Sequence, residues 1–455
     1  MKSKNLLSIL SFFITFSLAA QVPGWQNLFN GKDLTGWKRL AGTADFKVED
    51  GVIVGRTVAN SRNTFLVTEK EYGNFILEAD VWVEDEEGNA GLQTRSHFNA
   101  AAFDGQGRVY GRQCEIDPTF RRWTGGIYDE GRREWLYTMQ LNAPSQNAYK
   151  KGVYNHYKVE CIGNEMKTWV NGIATAYVVD TIDATGLIGL QVHAIKDASH
   201  AGKKVCYKNI RIKTTGLVPT PFPANVYVAN FVPNNLTAYE KKDGWRLLFD
   251  GKTNKGWKSA KGNNFPEKGW TIDKGIISIQ NAEGNEATNG GDIVTNEEFV
   301  AFDLSFEFKL TPGANSGVKY FVTLAEDSKG SAIGLEYQIL DDSLHPDAKL
   351  GRNGNRTLAS VYDMIKAEKQ KRFLRPTGQW NIGRLIVYPN NKVEHYLNGV
   401  KVLEYIRGSK EYRDLVAISK YVIWKNFGEA PQGHILLQDH GNEVWYRSIK
   451  IKELN

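Results

Sequence analysis

The sequence predicts an all-β protein made of two tandem two-sheet sandwiches. Three observations predict it. Trp, Tyr and Phe are abundant, with 12, 20 and 21 copies, and 44 glycines accompany them. That composition favours strands joined by many turns. Short segments alternate apolar and polar residues with period two, as in Phe75–Val83 and, more cleanly, Phe302–Leu310. Such alternation marks a half-buried strand of an antiparallel sheet. Finally, the second half of the chain repeats the first.

Taken in order, the chain begins with a signal-like segment. Lys2 and Lys4 precede an apolar run over 6–18, followed by Ala19, Ala20 and Gln21. This predicts a secretory signal over residues 1–20, cleaved near Ala20, and a periplasmic or secreted product. The run is short for a membrane span, and no later stretch is long and apolar enough for one. No cysteine follows it, so a lipid anchor is not expected.

The repeat is visible by eye. Gly24-Trp25 with Leu28-Phe29-Asn30-Gly31-Lys32 returns as Gly244-Trp245 with Leu248-Phe249-Asp250-Gly251-Lys252. Gly36-Trp37-Lys38 returns as Gly256-Trp257-Lys258 at the same spacing. Further matched pairs follow in the same order: Asn89/Asn315, Gly91/Gly317, Tyr128/Tyr362, the turn dipeptides Asn171-Gly172/Asn398-Gly399, and His193/His440. The reading is one domain over 21–213 and its copy over 244–455. Between them, 214–243 carries Pro219, Pro221, Pro223 and Pro233, a linker composition. The second copy has an additional segment, 410–427, with Leu415, Ile418, Tyr421 and Val422 at helical spacing, expected as a short helix on the sandwich rim.

The net charge of +6 is small for 455 residues and falls by two without the signal. It argues against nucleic acid as a partner. The densest basic run, 366–375, reads as a solvated surface segment. The three cysteines, Cys114, Cys161 and Cys206, are odd in number and widely spaced, and read as buried free thiols.

The stretch 111–117 is the first candidate for chemistry. Gln113, Glu115 and Asp117 alternate with Cys114 and Ile116. A strand sends the polar residues to one face and the apolar pair to the other, with the two carboxylates about 6–7 Å apart at the backbone. The bland alternative is a solvated outer face. The counterpart over 334–341 places Glu336, Gln338 and Asp341 comparably. There the glutamate stands two residues earlier: Glu336 aligns with Gln113, and Gln338 with Glu115. Asp341, Asp342, His345 and Asp347 form a dense acidic set. No spacing fixes a metal there, and a divalent ion such as calcium is left open.

Once these residues are aligned, both halves resemble the 3-keto-disaccharide hydrolase domain family. The resemblance rests on the Gly-Trp-x-x-Leu-Phe-x-Gly-Lys entry, the Asn-x-Gly pairs, the 111–118 strand with Trp123-Thr-Gly-Gly-Ile-Tyr128, and Gln191/His193 with Gln438/His440. It implies a concanavalin A-like jelly-roll sandwich in each half. It also implies a glycoside or oligosaccharide substrate oxidised at C3. A ketone at C3 acidifies the C2 hydrogen. A base removes that proton and the C1 substituent leaves with help from an acid; water then adds, giving net hydrolysis, or the unsaturated product is released, giving a lyase. Candidates for catalysis are Glu115, Asp117 and His193 in the first copy, and Glu336, Asp341 and His440 in the second. Candidates for substrate binding are Arg95, Arg112, Gln113, Trp123 and Tyr128, with Gln338, His345 and Tyr362 in the second copy. Two rivals remain on the same fold. One is a conventional laminarinase-type glycosidase, whose motif needs a further glutamate where Pro118-Thr119-Phe120 stands. The other is a carbohydrate-binding lectin, which needs aromatic platforms rather than a charged site.

Overall fold

The computed structural model describes residues 24–285, 290–324 and 332–455. The expected signal over 1–20 lies outside the described residues. Each half is a pair of antiparallel sheets enclosing an apolar core. The first half has a nine-stranded and a seven-stranded sheet, the second an eight-stranded and a five-stranded one.

The alternation seen in sequence places the cores. In Phe75–Val83, Phe75, Leu77, Ala79, Val81 and Val83 are buried, while Glu78, Asp80 and Trp82 are half-exposed. The same face of Phe302–Leu310 packs Phe302, Leu304, Phe306 and Phe308 into the second core. Its other face is not solvated as expected. Asp303 binds Arg384 at 2.5 Å and Glu307 binds Arg447 at 2.7 Å. Tyr227, from the segment between the repeats, hydrogen-bonds Ser305 at 3.0 Å. The matched tryptophans behave alike: Trp37 Nε1 donates to the Leu28 carbonyl at 2.8 Å and Trp257 Nε1 to that of Leu248 at 2.7 Å. Trp245 is buried as well, whereas Trp25 stays half-exposed beneath Arg211. Both Asn-Gly dipeptides turn hairpins with positive φ at each residue, as that turn type requires. All three cysteines are buried and free.

The segment 214–243 is more than a linker. Ala229–Asn230 pairs in parallel with Ile173–Val179, extending the first half's larger sheet. A short helix, Ala238–Lys242, follows a capping box between Thr237 and Glu240. Glu240 is buried and meets Lys450, of the final strand, at 2.5 Å. Removing one partner of a buried pair strands the other charge, at about 3–5 kcal/mol. Lys450→Met is therefore expected to lower stability by about that amount, read from chemical unfolding. An unchanged midpoint would remove the pair's role in fastening this segment.

The extra segment of the second half forms a helix over Lys410–Ala417 and a 3-10 turn over Lys420–Ile423. Its buried face differs from the expected stripe. Tyr412 and Tyr421 are buried, whereas Ile418 and Val422 are exposed. The helix ends before Ile418, so the 3.6-residue spacing does not continue.

Candidate active site

The site is built on the seven-stranded sheet of the first repeat. Strand Arg108–Ile116 lies between Ala90–Asn99 and Ile127–Glu130. Cys114 and Ile116 enter the core, while Gln113, Glu115 and Asp117 line a cavity of about 560 Å³. The bland alternative of a solvated face does not hold: Glu115 is only 5% exposed.

Register explains the Asn-x-Gly motif. Gly91 lies opposite Glu115, and Gly317 lies opposite Gln338. A Cβ at Gly91 would come within 2.2 Å of the Gln113 side chain, and one at Gly317 within 2.4 Å of that of Glu336. Each glycine leaves room for the polar side chain that crosses it. The same register confirms that the glutamate has changed places between the copies.

Asn89 Nδ2 donates to Glu115 Oε1 at 2.6 Å, and Gln113 Nε2 to Oε2 at 2.8 Å. Gln93 in turn donates to Gln113 Oε1 at 2.8 Å. Burial pushes the Glu115 carboxyl up to about 7, and these two donors only partly oppose it. Asp117 is held differently, by the Thr119 hydroxyl at 2.7 Å and Arg121 Nε at 2.7 Å. The Arg121 guanidinium lies 4.7 Å over Trp123 and 5.3 Å over Trp135.

His193 and Tyr128 line the same cavity. His193 Nδ1 is 2.7 Å from the Ala194 carbonyl. A carbonyl only accepts, so Nδ1 carries the proton and Nε2 keeps its lone pair. Burial lowers the His193 pKa below the ordinary imidazole value, which favours this neutral ring. Burial raises that of Tyr128, which stays a hydroxyl donor. Gln191, also lining the cavity, is buried with neither amide atom hydrogen-bonded. Asn89 Oδ1 is similarly unpaired. Buried amides without protein partners are costly, so a hydroxyl bound in the cavity would gain from pairing with them.

Several expected residues lie elsewhere. Arg95 is buried behind the sheet, donating to the Gly73 and Gly163 carbonyls at 2.8 Å each. Arg112 is fully buried and donates to the Asp183 carbonyl at 2.6 Å. Both are structural: strand alternation does not reveal that their guanidinium groups satisfy loop carbonyls. Trp123 is 3% exposed, packed edge-on to Trp135, so it is a support and not a platform. Arg132 and Arg133 pair with Asp129 at 2.7 and 2.6 Å. Sequence reasoning missed Arg121, Gln191 and the role of Asn89. The repeated Asn89/Asn315 and Gln191/Gln438 pairs were the available signal.

In the second repeat several of the corresponding groups are engaged with one another, although Gln438 Oε1 and His440 Nδ1 are buried without partners. Tyr362, the partner of Tyr128, donates to Asp347 at 2.8 Å, and Lys420 lies 4.1 Å over its ring. Burial raises the Glu336 carboxyl, but Lys319, Lys420 and His440 pull it back. Gln338 is buried beside Asn315, and His345 and His440 have ring centres 6.1 Å apart. The acidic set is consumed internally. Asp341 accepts from Ser343 and Gly313, Asp342 binds Lys369 at 2.6 Å, and Asp347 binds Arg356 at 2.9 Å. Among the described residues no three potential metal ligands converge.

The model of the 3-keto-alpha-glucoside-1,2-lyase-like domain matches the chain twice, over 24–213 and 244–452. A Bacteroides thetaiotaomicron protein named 3-keto-disaccharide hydrolase is 38% identical over 234 residues, covering 47% of this chain and 79% of that protein. A Parabacteroides distasonis crystal structure, of a candidate glycosyl hydrolase, is 29% identical with a TM-score of 0.43, covering 49% of this chain and all of that one. A second from the same species is 29% identical with a TM-score of 0.35, covering 46% and 99%. With both halves matched along nearly their whole length, the chain belongs to the 3-keto-alpha-glucoside-1,2-lyase-like domain family.

Proposed function

We propose that this protein is a periplasmic or secreted enzyme that cleaves glycosides oxidised at C3, and that the first repeat performs the reaction. One observation carries the assignment. A buried carboxyl poised near neutral pH and a neutral histidine line one open cavity. Their roles follow from their states. His193 Nε2 takes the C2 proton, and the electron pair passes into the C3 carbonyl as an enolate. Collapse of the enolate breaks the C1–O bond. Protonated Glu115 gives its proton to the departing oxygen. Water then adds at C1, completing net hydrolysis. Arg121, beside Asp117, offers N–H donors to oxygens that gain charge. The cavity of about 560 Å³ has room for a sugar ring, and the unpaired Gln191 amide suits its hydroxyls. Against the lectin rival, the buried Trp123 offers no stacking face, and the cavity is lined by a charged set in Glu115, Asp117 and Arg121.

The test compares a 3-keto-disaccharide with its unoxidised parent. Cleavage of the first alone is expected, and equal cleavage of both, or of neither, would sink the proposal. The pH profile gives a second check. Glu115 must be protonated, so activity falls as pH rises through about 7. His193 must be neutral, so activity also falls below its lowered pKa. A bell between these limits is expected, and a rate that keeps rising above neutral pH would exclude Glu115 as the acid.

A further inference from the structure

The cavity in the first repeat is not made by the first repeat alone. Of the residues lining it, only Arg372 comes from the second. Arg372 belongs to the 3-10 turn Lys371–Phe373, in the basic run that reads in sequence as a solvated surface segment.

That turn is fastened from both sides. Phe373 is buried in a cluster with Trp123, Trp135 and Met139 of the first repeat, its ring 5.6 Å from Trp123. Its carbonyl accepts from Asn398 Nδ2 at 2.8 Å. Arg375 donates to the Arg133 and Trp135 carbonyls. Nearby, Lys401 N donates to Gln140 Oε1 at 2.7 Å. Arg372 is thus presented at the cavity by a fixed backbone.

Its head group is uncommitted. Among the described residues Arg372 has no carboxylate or carbonyl partner, and its guanidinium rests 4.5 Å over its own Phe373 ring. The other basic residues of the turn are spent differently, Arg375 on backbone carbonyls and Lys369 on Asp342. Burial lowers the Arg372 pKa first, and the nearby Arg121 guanidinium adds to that. The Arg121 guanidinium is a neighbouring like charge, opposed by Glu134, Tyr128 and Asp117, of which Asp117 is ion-paired to Arg121. Electron-rich oxygens of a ligand would relieve this repulsion.

We propose that Arg372, carried by the second repeat, is a substrate-binding residue of the first repeat's site, holding the hydroxyls of the leaving sugar. Arg372 is exposed at the cavity whereas Glu115 is buried, which suits the leaving unit rather than the ring that reacts. The second repeat then acts as part of the binding site. This rests on the glycoside-cleaving function proposed above.

The test uses the full chain, its Arg372→Ala and Arg372→Lys variants, a 3-keto-disaccharide and methyl 3-keto-glucoside. Loss of one charge-assisted contact predicts a KM about tenfold higher for the disaccharide in Arg372→Ala, with kcat little changed. The methyl glycoside, lacking the second sugar, should be nearly unaffected. Arg372→Lys should recover part of the loss. A KM unchanged for the disaccharide overturns the proposal. So does an equal loss for both substrates, or a fall in melting temperature with kcat and KM moving together, since these mark a structural role. Calorimetric binding of the unoxidised disaccharide separates the two ideas. If the parent protein turns over nothing yet binds that sugar through Arg372, the reaction assignment fails and this one stands. If it neither binds nor cleaves, both fail.

Discussion

Glu115→Gln is expected to slow cleavage of a 3-keto-disaccharide by about 10²–10⁴-fold, the usual range for removing a general acid. The substitution keeps the shape of the side chain and an acceptor for Asn89 or Gln113, whose donors lie 2.6 and 2.8 Å from the carboxylate. What it removes is a proton that can be given away near neutral pH. Two comparisons make the prediction specific. A substrate with a good leaving group needs no acid, so Glu115→Gln should slow its cleavage far less. Glu336→Gln, in the second repeat, should leave the rate near that of the parent. Burial raises the Glu336 carboxyl as it does that of Glu115, but Lys319 and Lys420 oppose the rise there. If Glu336→Gln were the slow variant and Glu115→Gln the active one, the reaction would belong to the second repeat.

The strand at 111–117 was legible because a strand has only two faces. Period-two alternation was enough to place Cys114 and Ile116 in the core and Gln113 and Glu115 opposite them. Whether that opposite face met water was not legible. Its burial comes from Asn89, Gln191 and His193, residues distant in the chain. The exchange of glutamate between Gln113/Glu336 and Glu115/Gln338 was readable from the repeat, and the pairing of Gly91 and Gly317 gives it a physical reason. The arginines were misread. Arg95 and Arg112 occupy polar stretches, but their long side chains reach carbonyls of loops that the strand pattern does not locate. The basic run at 366–375 was taken for solvated surface because charge density carries no information about what the neighbouring phenylalanine will meet. Lys366, Gln370 and Lys371 are indeed exposed, but Phe373 meets Trp123 and Arg375 reaches the Trp135 carbonyl, so the end of the run bridges the repeats. Likewise the prolines of 214–243 truthfully mark an irregular path, yet Tyr227, Leu236 and Glu240 within it are buried.

His193→Ala is expected to cost as much as loss of the acid, about 10²–10⁴-fold, but at an earlier step. The two steps can be told apart in deuterium oxide. Proton removal by His193 and its reversal exchange the C2 hydrogen, whether or not the leaving group departs. Glu115→Gln should therefore keep C2 exchange while cleavage fails, and His193→Ala should lose both. His440→Ala should lose neither. The asymmetry between the histidines lies in their contacts. The Nδ1 of His193 donates to the Ala194 carbonyl, and the Ala194 amide is in turn held by Asn63 Oδ1 at 2.8 Å, so backbone fixes the tautomer that leaves Nε2 basic. The Nδ1 of His440 is buried with no hydrogen-bond partner, so nothing fixes that ring in the same state. C2 exchange that survives in His193→Ala would assign the base to another group of the cavity. Exchange lost in His440→Ala as well would mean that the two repeats act together, and that matched positions with unmatched contacts still share one reaction.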